Sequence, residues 1–303
     1  MTIAQTNTLR GIAILVLLTH HYSQQDFAFE WKYIFKYTGM LVCAMFFFFS
    51  GYGLGLNPKK TAEKGYWTKR FLTIALPFVL ANAIYLVYNL ATRDSGIGLT
   101  DGILYLCGIK LINPHCWFLQ MLLILYACFF ICRKASINTL LISLIAGGVY
   151  IVLTHTVISL SYLTFPAGAV YARKAVDFNK SIWWISLIVF AMSFTYHVYY
   201  QGRINNLLLL ADIILVLTTF IIIMQRIRIE VKAFEYLGHH SMNFYVIHGL
   251  ILSIVSTFSS INPYLLITTF FGGSLMAGVG FKKLTAATMS VIKRGTDTCT
   301  SKN

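Results

Sequence analysis

Charge is what this 303-residue chain has least of. Asp, Glu, Lys and Arg make up 11% of it, where a soluble domain carries about a quarter. Acid is scarcer still, with 10 Asp and Glu against 24 Lys and Arg. Combined with 57% hydrophobic residues and a mean hydropathy of +0.71, this excludes an ordinary soluble enzyme or binding module and indicates an integral membrane protein. Metal-type CxxC pairs are missing too. Cys43, Cys107, Cys116, Cys128, Cys132 and Cys299 are scattered, so small hydrophobes packed in helices are expected in place of a disulfide framework or metal site. Residues 1–10 hold one basic residue, and no small-residue cleavage site follows the first apolar stretch. The first helix is therefore expected to act as its own insertion signal. No convincing repeat links the two halves.

The net charge of +14 would suit a nucleic-acid partner if it stood alone. The basic residues, however, sit in short clusters between apolar runs, the pattern that orients membrane helices. Nucleic acid is not an expected partner. Runs near the length needed to cross hydrocarbon lie at about 8–24, 37–56, 71–91, 115–132, 137–154, 157–172, 182–199, 207–225, 238–258 and 264–281. Pro166 and Gly168 make the sixth the weakest of these. Glycines and Asp101 break the stretch 95–113, which reads as an amphipathic or re-entrant segment. With ten spans, only Lys32, Lys36, Arg93, Lys110 and Arg203 of the 24 basic residues fall in the odd-numbered loops. That asymmetry puts both termini in the cytoplasm. The expected organisation is one transmembrane domain over 1–285 and a short cytoplasmic tail over 286–303.

Within the first helix, Arg10 and His21 are separated by ten apolar or small residues. Eleven steps of about 100° return both side chains to one face, about 16 Å apart along the axis. A cation and an imidazole are costly to bury in hydrocarbon, so such a face is expected to line a polar cavity. His20 points about 80° away from it.

Four other patterns stand out. Phe46-Phe47-Phe48-Phe49-Ser50-Gly51-Tyr52 places a small polar pair behind four phenylalanines, fit either for helix packing or for close approach of a ligand. Lys59, Lys60, Lys64, Lys69 and Arg70 form a basic patch able to bind anionic lipid or the phosphates of a nucleotide-bearing ligand. Trp117-Phe118-Leu119 opens the fourth helix, where tryptophan serves as an interfacial anchor or lines a site. Ser241, Tyr245 and His248 follow i, i+4, i+7 spacing and form a polar stripe. Asp212 is the one acid inside an expected span, where it either pairs with a neighbouring helix or faces a cavity.

In this order the patterns resemble the acyltransferase 3 family of bacterial membrane O-acyltransferases, ten-helix proteins that acylate cell-surface sugars, peptidoglycan, glucans or secreted small molecules. Arg10-x10-His21 is similar to the family's Arg-x10-His motif, Phe46–Tyr52 to its Phe-Phe-x-x-Ser-Gly-Tyr stretch, and Trp117-Phe118-Leu119 to its Trp-Phe-Leu segment. Leu237-Gly238 through Ser241, Tyr245 and His248 is similar to its late element. The chain departs from the family at Thr73, where an Arg-x-x-Arg pattern would put a second arginine three residues after Arg70.

The resemblance implies acyl-CoA, by family habit acetyl-CoA, as donor and no metal. It implies as acceptor a hydroxyl of a cell-surface or exported glycan or lipid-linked sugar, and a place in the bacterial cytoplasmic membrane among its lipids. On that reading His21 is the general base, aided by Arg10. Ser50, Lys69 and Arg70 attend the donor, and Trp117, Asp212, Ser241, Tyr245 and His248 line the acceptor cavity. The competing reading is a multi-pass transporter or flippase using Arg10, His21 and Asp212 as a substrate or proton relay.

Overall fold

In the computed structural model every regular element among the described residues is a helix. The structure describes residues 2–36, 38–56, 63, 65–92, 96–132, 138–154, 160–174, 180–199, 212–214, 217, 218, 221, 225 and 229–300. The α-helices are α1 (Ile3–Ser23), α2 (Thr38–Leu56), α3 (Tyr66–Thr92), α4 (Leu99–Leu106), α5 (Trp117–Cys132), α6 (Thr139–Thr154), α7 (Thr164–Arg173), α8 (Lys180–Tyr199), α9 (Lys232–His239), α10 (Ser241–Ser256) and α11 (Pro263–Thr300). Four helical stretches, Lys32–Leu56, Tyr66–Thr92, Pro114–Ile131 and Pro263–Ile292, are long and apolar enough to cross a membrane. This makes the chain an all-α membrane protein.

Several boundaries differ from expectation for physical reasons. α1 starts five residues earlier than the apolar run because Thr2 caps it. The Thr2 hydroxyl accepts from the Gln5 N–H at 3.0 Å, and the Gln5 side chain accepts from the Thr2 N–H at 2.9 Å, closing a capping box. Arg10 therefore lies in the second turn of α1. The sixth expected span is shorter as a helix: Leu160–Leu163 forms a 3-10 turn and α7 follows, with Pro166 tolerated in its first turn. The ninth is two helices, α9 and α10, broken at His240. The expected tail is helical to Thr300, since residues such as Ala286, Ala287 and Met289 favour helix. At 1.5 Å per residue α11 is about 57 Å long, well beyond the ~30 Å of hydrocarbon. Most of the expected span 207–225 and the residues Lys59, Lys60 and Lys64 lie outside the described residues.

The chain forms two compact units: Met1–Trp67 with Ile124–Ser241, and Thr68–Leu123 with Met242–Asn303. In the first, α2 packs on α7 and α1 on α9 through paired glycines. A Cβ on Gly51 would overlap the Phe165 carbonyl, and one on Gly168 the Phe48 carbonyl. Likewise a Cβ on Gly11 would strike the Phe234 backbone, and one on Gly238 the Asn7 carbonyl. Small residues at these positions let helix backbones meet closely, which is how helices associate where hydrophobic burial supplies no driving force. Leu9, Leu41, Phe48, Phe49, Tyr52 and Ile213 fill the core beside these crossings.

The second unit sets α3, α4, the start of α5, α10 and α11 around buried polar side chains. Asn113 donates to the Tyr85 hydroxyl at 2.9 Å and accepts from the His115 N–H at 3.1 Å. Gln120 donates to the carbonyls of Gly108 at 2.6 Å and Ile109 at 3.1 Å. The turn before it needs Gly108, whose φ of +69° is disfavoured for other residues.

Candidate active site

α1 is unbroken from Ile3 to Ser23, so Arg10 and His21 keep their common face and their axial separation of about 16 Å. Each meets a different environment. The Arg10 guanidinium stands over the Phe49 ring, 5.3 Å from its centroid. Such a contact holds a cation at modest cost where water is scarce, and it explains in part how α1 carries a charge against the aromatic run of α2. His21 lies in the last turn of α1.

His20 and His21 are equally buried, each 6% exposed, with ring centroids 4.9 Å apart in an edge-to-face arrangement. Phase alone thus does not separate them by exposure; their partners do. The His20 Nδ1 lies 2.9 Å from the Phe35 carbonyl. Its ring also occupies the space that a Cβ on Gly39 would need. The His21 Nδ1 lies 3.4 Å from Gln24 Oε1, and Gln24 Nε2 lies 3.2 Å from His20 Nε2. Neither Gln24 nor Gly39 was singled out by sequence. The signal for Gln24 was present, since positions three and four beyond His21 and His20 share their helical neighbourhood.

Other expected residues fall out unevenly. The Ser50 hydroxyl donates to the Phe46 carbonyl at 2.9 Å, and Gly51 serves the α2–α7 crossing, so packing accounts for the glycine of that motif. Asp212 is fully buried beside the core residue Ile213. Ser241 is the first residue of α10, and Leu237-Gly238 before it belongs to the close α1–α9 contact.

In the second unit Lys69 is exposed and Arg70 half-buried on the first turn of α3. Thr73 is exposed, its hydroxyl donating to the Lys69 carbonyl at 2.7 Å. Trp117 is half-buried at the start of α5, and Phe118 packs edge-on against Tyr245 at 5.7 Å. The Tyr245 hydroxyl donates to the His115 carbonyl. His248 is fully buried, its Nδ1 donating to the Tyr245 carbonyl and its ring 5.7 Å from that of His115. His115 is thus a neighbour of the polar stripe that sequence spacing did not reveal.

A cavity of about 570 Å³ in the first unit is lined by residues such as Phe48, Pro166, Val170, Tyr171 and Leu217. It is apolar, and none of the candidate site residues lines it.

Among the described residues the chain is all-helical, with four helices apolar enough to cross a membrane and a first helix that carries Arg10 and a buried histidine pair. Residues 3–281 match the acyltransferase 3 sequence model, described as an acyltransferase domain, so the chain belongs to that family and is a membrane acyltransferase. No curated protein and no solved structure matches it.

Proposed function

We propose that the protein transfers an acyl group, by family habit acetyl, from acyl-CoA to a hydroxyl of a cell-surface or exported glycan, in the bacterial cytoplasmic membrane. The observation that carries this reading is the placement of His21 in the last turn of α1, with its Nδ1 directed at an amide oxygen. An imidazole whose Nδ1 donates presents Nε2 as the base. Nε2 accepts the proton of the acceptor hydroxyl as its oxygen attacks the thioester carbonyl. The tetrahedral adduct then collapses by breaking the C–S bond, and the imidazolium returns the proton to the departing CoA thiolate. The ester and free CoA result, and the histidine ends as it began.

Arg10, and separately Lys69 and Arg70, are proposed as contacts of the anionic donor, on charge and on their expected cytoplasmic side. Ser50 remains a donor-side residue by motif, with its hydroxyl engaged within α2. Trp117, Tyr245 and His248, and separately Asp212 and Ser241, are proposed polar contacts of the acceptor. Ten spans with both termini in the cytoplasm complete the proposal.

The test is mass analysis of surface glycans and exported sugars from cells with and without the gene, followed by transfer of label from acetyl-CoA in vesicles. Loss of one O-acyl mark, restored by the wild-type gene but not by His21→Ala, is the expected result. Unchanged glycans, together with proton-coupled flux of a solute through the purified protein, would favour the transporter reading.

A further inference from the structure

The two histidines at the end of α1 are joined by one side chain, and the chemistry of each contact fixes the next. The Phe35 carbonyl cannot donate a hydrogen bond, so His20 must carry its proton on Nδ1, 2.9 Å away. Thr38 closes around the same carbonyl, with its hydroxyl at 2.8 Å and its N–H at 3.1 Å. Neutral His20 then has only a lone pair at Nε2, so the group 3.2 Å from it must be the amide NH2 of Gln24. With the amide oriented, its oxygen faces His21 Nδ1 at 3.4 Å. Because that oxygen only accepts, the His21 proton belongs on Nδ1 and the lone pair on Nε2.

We infer that His20 and Gln24 are positioning residues that set the tautomer and ring orientation of His21, relaying the polarity of the Phe35 carbonyl across one side-chain amide to the reacting nitrogen. The inference rests on reading His21 as the general base. It assigns a purpose to three features the transfer chemistry leaves unused: a second buried histidine, an exposed glutamine at the helix C-cap and a glycine at position 39. The direction of the relay matters. Were His20 protonated on both nitrogens, its Nε2 would donate, the amide would turn over, and its NH2 would face His21. The His21 proton would then move to Nε2, and the base would be blocked.

The first measurement is nitrogen-15 NMR of the histidine side chains in the detergent-solubilised full chain, with the His21 signals assigned by their loss in His21→Gln. Wild type is expected to show His21 protonated at Nδ1 and bare at Nε2. Gln24→Leu removes both amide contacts at an exposed position, where the fold does not depend on it. It should give His21 a mixture of tautomers and lower kcat about tenfold, the scale of one lost hydrogen bond, with KM for donor and acceptor unchanged. Gln24→Glu, whose carboxylate accepts from His21 Nδ1 but cannot donate to His20 Nε2, should keep the His21 tautomer while shifting the His20 signals. Gly39→Ala should shift the His20 signals and mimic Gln24→Leu. A wild-type His21 protonated at Nε2, or a Gln24→Leu protein with unaltered tautomer and kcat, overturns the relay. Full activity in His21→Ala would instead overturn the general-base reading, whatever the NMR shows.

Discussion

The His20–His21 pair of the first unit and the His115–His248 pair of the second are anchored in opposite ways. In the second unit His248 is fully buried and donates to the carbonyl of Tyr245, in the preceding turn of its own helix. Its neighbour His115 precedes α5, its backbone N–H bonded to Asn113 and its carbonyl to Tyr245. In the first unit His21 is anchored through the side-chain amide of exposed Gln24 beyond a buried helix end, and its neighbour His20 through a carbonyl across a loop. A histidine fixed by backbone within a core is tied to the stability of that core. One fixed by an exposed glutamine depends on a contact that can be changed without disturbing the fold.

The comparison can be broken directly. Substituting His21 with alanine should lower acyl transfer by about 10²–10⁴-fold, the usual contribution of a general base, while the thermal unfolding temperature in detergent falls by less than in His248→Ala. His248→Ala should do the reverse, costing about 2–4 kcal/mol of stability, the scale of emptying a buried site, and raising KM for the acceptor more than it lowers kcat. Equal stability losses in the two variants would erase the distinction.

A second contrast concerns the cations. Arg10 rests on an aromatic ring in the first unit, whereas Arg70 is half-buried on the first turn of α3 beside exposed Lys69. If Arg70 contacts donor phosphates, Arg70→Ala should raise KM for acyl-CoA about ten- to hundredfold, corresponding to about 1.5–3 kcal/mol. Thr73→Arg should be neutral or lower that KM, because position 73 is exposed and admits the longer side chain. Unchanged donor dependence in Arg70→Ala would leave Arg10 as the candidate phosphate contact.

The smallest effects sharpen the contrast between a cap and a surface ion pair. Thr2→Ala in the first unit removes a capping box and a hydrogen bond to Glu230, and should lower stability by about 1 kcal/mol. Asp101→Asn in the second unit breaks a 2.6 Å pair with Lys110 in which both side chains are about half exposed. It should leave the unfolding temperature unchanged, since solvent screens such pairs.

Much of the helical content was legible because apolar runs report it directly. Thr2 and Gln5 spell a capping signature that moves the start of α1, although a search for unbroken hydrophobicity passes over it. The division of the expected ninth span at His240 was less visible: α9 is amphipathic and α10 apolar, and only their different packing separates them. Ser50 and Gly51 show the same limit. Their residue types admit either a ligand or a neighbouring helix, and only for Gly51 does the adjoining Phe165 backbone supply a packing reason.

The sequence alone determined the solvent, the helical class and the shared face of Arg10 and His21, because composition and helical period are properties of consecutive residues. It also determined membership of an acyltransferase family, since residue types at fixed spacings travel with the chain. Tertiary structure decided what the chain cannot encode locally. Phe35, fifteen residues after His20, supplies the carbonyl that fixes its proton. Gly39 clears the space its ring fills, and the His115 carbonyl reaches Tyr245 across 130 positions. Hydrogen-bond roles depend on which atom lies opposite, and that is known only after distant segments have packed.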